Sequence, residues 1–105
     1  MKVIISGPAQ KDIEKRIDYL MQNSYSRFLD DFRIGLSHTL ENLSLFENLG
    51  QKVDANESLR CKNFGDYHLY YLIFDDIVQV LRVTHHLNDE PDWSDELIEF
   101  DDLWL

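Results

Sequence analysis

The side chains suited to phosphate chemistry fall late in the chain. Arg60 and Lys62 stand two residues apart in one β-type run, and Arg82, His85 and His86 close another. Cleaving an RNA strand requires a base for the 2′-hydroxyl proton, an acid for the leaving 5′-oxygen and cations for the phosphorane. Residues two apart on a strand share a face, so Arg60 and Lys62 point together. Arg82 has the strand parity of Val78 and Val80. If that face meets the Arg60 face, two arginines and a histidine converge. His85 and His86 are strand neighbours and point apart, so they cannot both ligate one metal in regular geometry.

Each of these residues also has a plain structural reading. Arg60 and Lys62 read equally well as solvated strand residues or partner contacts. Arg82, inside Val80-Leu81-Arg82-Val83, requires an exposed face or an acidic partner such as Asp66 or a carboxylate further on. Tyr70 and Tyr71 read as core or interface aromatics, His38 as a helix-surface residue and Cys61 as a small buried one. The chain has a single cysteine, which excludes an internal disulfide and completes no metal motif. No metal or cofactor is expected.

Charge separates two regions, 1–88 and 89–105. Residues 1–88 hold 12 acidic and 10 basic side chains, a balance of −2, whereas 89–105 hold 8 acidic side chains and no Lys or Arg. A chain-wide positive field that would draw in nucleic acid is absent. The acidic segment would oppose phosphate binding within a Debye length, about 8 Å at physiological salt. No apolar run reaches membrane-spanning length and no signal-peptide core is evident, so a soluble, cytoplasmic protein is expected.

The positioning elements follow from periodicity. Lys2–Ser6 reads as a strand stopped by Gly7-Pro8. Ala9, Ile13, Ile17 and Leu20 then recur at helical spacing, as do Phe28, Phe32, Leu36, Leu40 and Leu43 after a break at Asn23-Ser24. Two such helices predict an antiparallel hairpin. Gln51–Glu57 is polar and reads as a loop. Ser58–Phe64, Tyr67–Phe74 and Ile77–Thr84 read as strands joined by Gly65-Asp66 and Asp75-Asp76, a meander. Tyr67–Phe74 is apolar on both faces, as a central strand covered on both sides would be. Trp93, Leu97, Phe100 and Trp104 are spaced by four, three and four among acids, the pattern of a short amphipathic helix. The expected class is α+β, in the order β-α-α-β-β-β, with an acidic extension.

The run Leu59–His86, with its arginine strand, its aromatic strand and its ending Arg82-Val83-Thr84-His85, resembles the C-terminal half of ParE/RelE toxins. Ala9, Asp12, Ile13, Tyr19 and Leu20 are similar to that superfamily's first helix. The resemblance covers residues 2–88 and is closer to the ParE branch. It implies the toxin of a type II toxin–antitoxin pair, of the kind linked to plasmid stabilization. Its partners would be a cognate antitoxin and DNA gyrase, with no catalytic chemistry required. The RelE branch implies instead an endoribonuclease acting on mRNA at the ribosome. An inactive homologue kept as a binding or regulatory module is a third reading. Target contacts would fall on Arg60, Lys62, Arg82, His85 and His86, and a nuclease would use the first four. Antitoxin contacts would fall on Phe28, Phe32, Trp93, Leu97 and Phe100, in a homodimer or a hetero-oligomer with the antitoxin.

Overall fold

A computed structural model describes residues 2–23, 26–46, 50–53 and 56–85. His86, Trp93, Leu97, Phe100 and the expected helix of the acidic extension lie outside the described residues. The elements run β1 (Lys2–Ile5), α1 (Gly7–Gln22), α2 (Ser26–Leu45), β2 (Gln51–Val53), β3 (Asn56–Phe64), β4 (Tyr67–Phe74) and β5 (Ile77–His85). They form a five-stranded mixed sheet, ordered β1-β5-β4-β3-β2, with a two-helix layer. β1 pairs parallel to β5, and the other neighbours are antiparallel.

Local chemistry sets the boundaries. Ser6 caps α1 by accepting the Ala9 N–H at 3.2 Å, and Pro8 occupies the first turn, where no N–H is required. The β4–β5 turn holds Asp75 at φ 53° and Asp76 at φ 62°, the two positive values of a type I′ hairpin. The β3–β4 turn puts Gly65 first, at φ 54°.

The helices cover one face of the sheet. Leu20, Phe32 and Leu43 pack there against Leu69, Tyr71, Val78, Val80 and Val83. Burying this apolar surface is the main term holding the layers together. Central β4 also carries buried Tyr70 on the opposite face, as its two-sided apolarity implied.

Two expectations are corrected. The described residues of the polar stretch 51–57 are not loop: Gln51–Val53 pairs along β3, which itself begins at Asn56. Gly50 anchors this added edge strand. Its N–H donates to the Tyr71 hydroxyl at 2.8 Å, and its carbonyl accepts from Arg60 Nη1 at 2.8 Å. With the backbone held there, an edge strand can form despite the polar Gln51 and Lys52. The second correction concerns parity. A β-bulge makes Tyr71 oppose Val80 while Tyr70 opposes Arg82, leaving Leu81 as the extra residue. Arg82 therefore does not share the Val78–Val80 face.

Candidate functional site

β1 stops at Ile5, so the outer edge of β5 is uncovered beyond Val80. The start of α1 closes it. Ser6 donates its N–H to the Val80 carbonyl at 2.9 Å and its hydroxyl to the Leu81 carbonyl at 3.0 Å. Nearly two turns on, Asp12 Oδ2 accepts the Val83 N–H at 3.0 Å. The same carboxylate takes a two-pronged bond from Arg82, Nε to Oδ2 at 2.7 Å and Nη2 to Oδ1 at 3.0 Å. Both side chains are largely sheltered, at 25% and 16% exposed. Asp12 is thus an acidic partner of the kind that Arg82 demanded. The pair docks α1 on the sheet edge, and its fork geometry is one that arginine alone supplies.

Next to this pair a cleft of about 390 Å³ opens between the helices and the β3–β4 turn. Phe32 and Phe64 form its floor, with ring centroids 6.1 Å apart, and Tyr67 stacks on Phe64 at 5.3 Å. Arg16 crosses it. Its Nε donates to the Tyr67 hydroxyl at 2.7 Å, and its guanidinium lies 5.0 Å from the Tyr19 ring and 5.4 Å from the Tyr67 ring. The His85 ring meets Tyr67 edge-on at 5.2 Å. A second recess of about 260 Å³ shares Arg16, Tyr67 and His85 and is bordered by Asp12, Lys15 and Arg82. The site therefore has an aromatic half and a cationic half. Asp31 and Asp66 line the aromatic half. Aromatic rings and arginines in a recess are the composition of a protein-binding anchor site.

A family model describing the ParE toxin of type II toxin–antitoxin systems matches residues 3–90. The chain belongs to the ParE toxin family. Among solved structures it is similar to a chain of the RelBE2 toxin–antitoxin complex from Mycobacterium tuberculosis, at TM-score 0.53 and 23% identity, over 80% of this chain and 95% of that one. That likeness is one of fold. No curated protein sequence matches the chain.

For this ParE family member, the structure unites some of the residues picked from sequence and separates others. Phe28, Phe32 and His85 line the aromatic half, and Arg82 with His85 borders the cationic half. Phe28 is 60% exposed at the rim, whereas Phe32 is 2% exposed and reachable only as floor. Arg60 and Lys62 do not line either recess. They oppose Tyr71 and Leu69 on the helix-covered side of β3, and Arg60 is engaged with Gly50. Cys61 is half-buried, with its thiol 3.5 Å from Asn63 Oδ1. Sequence reasoning missed Arg16 and the role of Asp12. Both lie on α1, and only the Ala9–Asp12–Ile13 pattern points to the second.

Proposed function

We propose that this ParE family toxin acts on DNA gyrase by binding, in the cytoplasm, and that a cognate antitoxin neutralises it by anchoring in the aromatic cleft. The observation that carries this reading is the fork between Arg82 and Asp12. A guanidinium neutralised by a carboxylate contributes little to a phosphorane, so the cation best placed for RNA cleavage is committed to holding α1 on β5. Arg60 is likewise committed to a backbone carbonyl. What is left is a recess with rings, Arg16, Lys15 and a histidine, suited to gripping protein side chains.

One observation favours a second reading, the mRNA endoribonuclease. His85, the Tyr67 hydroxyl and Arg16 meet in one cleft, and they are of the types that serve as base, acid and cation. Induced expression in a bacterium, with and without the adjacent reading frame, separates the two. Growth arrest with DNA-damage signalling, relieved by the adjacent gene, is the expected result. Arrest with truncated mRNA and intact DNA would support the nuclease instead.

A further inference from the structure

The sheet face turned away from the helices carries a second apolar cluster. Leu59, Tyr70 and Leu81 form it with Cys61 and Leu72, so among the described residues every member comes from the sheet itself. An antiparallel sheet can leave one face in water, and its side chains are then partly exposed. Here Leu59 and Leu81 are 0% exposed and Tyr70 is 8%. Gln79 lies between Val78 and Val80, which face the helices, so its side chain belongs to the opposite face. Its Oε1 is buried and finds no hydrogen-bond partner among the described residues. Three apolar side chains and an amide oxygen removed from water call for a cover and a donor.

We propose that residues 93–104 of this same chain form that cover, laying Trp93, Leu97, Phe100 and Trp104 across β3, β4 and β5. The segment begins eight positions after β5 ends at His85 and lies beyond residue 90, where the family match ends. It would add a third layer to this chain's sheet and helix pair. A helix over 93–104 is about 18 Å long. That is enough to cross three strands spaced about 4.8 Å apart. Its apolar spacing gives one stripe against the sheet, and the acids between face water. An indole N–H is a donor with no acceptor role, the group that Gln79 Oε1 lacks. The helix-side cleft fits the segment worse, because the carboxylates of Asp31 and Asp66 line it.

The chain carries its own reporters. Both tryptophans, Trp93 and Trp104, lie in the segment, and the one cysteine, Cys61, lies on the face it would cover. Tryptophan emission and acrylamide quenching of the full chain should show shielded indoles, independent of protein concentration. Substituting Leu97→Asp and Phe100→Asp together should shift the emission to the red and speed alkylation of Cys61 by iodoacetamide, with far-UV circular dichroism retained. Indoles as quenchable as free tryptophan in the unsubstituted chain would overturn the proposal without any variant. So would Cys61 alkylation at an unchanged rate in the double variant, or shielding that appears only as concentration rises, which would make the cover a second copy.

Discussion

Removing the Asp12 carboxylate should cost more than removing its arginine partner. In Asp12→Ala the Val83 N–H loses its acceptor at the edge of β5, and Arg82 loses its two bonds to that carboxylate. An orphaned, part-buried N–H costs about 1–3 kcal/mol. A partly exposed ion pair adds about 0.2–1 kcal/mol. The expected loss is therefore about 2–3 kcal/mol, taking the middle of the first range. Arg82→Ala removes the pair but leaves Asp12 on Val83, so it should cost about 1 kcal/mol. Asp12→Asn keeps an oxygen for Val83 and should fall between the two. Urea unfolding followed by circular dichroism gives all three as midpoint shifts at constant slope. The double variant closes a cycle whose coupling term is the pair itself. Equal losses for Asp12→Ala and Arg82→Ala would refute the reasoning, because the edge N–H would then contribute nothing.

Other outcomes follow from the same geometry. Tyr71→Phe leaves the buried Gly50 N–H without its acceptor and should destabilise by about 1–3 kcal/mol in the same urea assay. Gly50→Ala should do comparable harm by overpacking, since an added Cβ would meet the Cys61 carbonyl oxygen and the Tyr71 ring edge at 2.8 Å. Asp76→Gly relieves a positive φ and should raise stability by about 1 kcal/mol, seen as a higher unfolding midpoint. Phe28→Asp, at the exposed rim of the cleft, should weaken antitoxin binding at least about tenfold by titration calorimetry while leaving the fold intact. Unchanged affinity would place the antitoxin elsewhere.

The elements that depend on local pattern are legible in the sequence. The helical stripes, the Asp75-Asp76 and Gly65-Asp66 turns and the two-faced apolarity of β4 each arise from nearby residues. β2 was not legible, because its pairing depends on Gly50 being held by Tyr71 and Arg60 from two other strands. The bulge at Leu81 was hidden too: in Val80-Leu81-Arg82-Val83 the apolar pattern does not mark which residue is extra. The site suffered most, since its decisive contacts join residues far apart in sequence. Arg82 in an apolar strand requires an acid, yet Asp12 stands 70 positions away on a different element. Arg16 reaches Tyr67 over 51 positions. Charge type alone does not reveal such pairs. Arg60 and Lys62 looked like a functional duo because strand parity unites them, but the sheet turns that shared face toward the helices.

Gyrase supercoiling with the purified chain tests the central reading most directly, run beside translating ribosomes programmed with a defined mRNA. The account predicts that supercoiling stops while the mRNA stays whole, and that added antitoxin restores supercoiling. Unimpaired supercoiling together with mRNA cut on the ribosome would contradict it, and would reassign Arg16, Tyr67 and His85 from gripping a protein to breaking a phosphodiester.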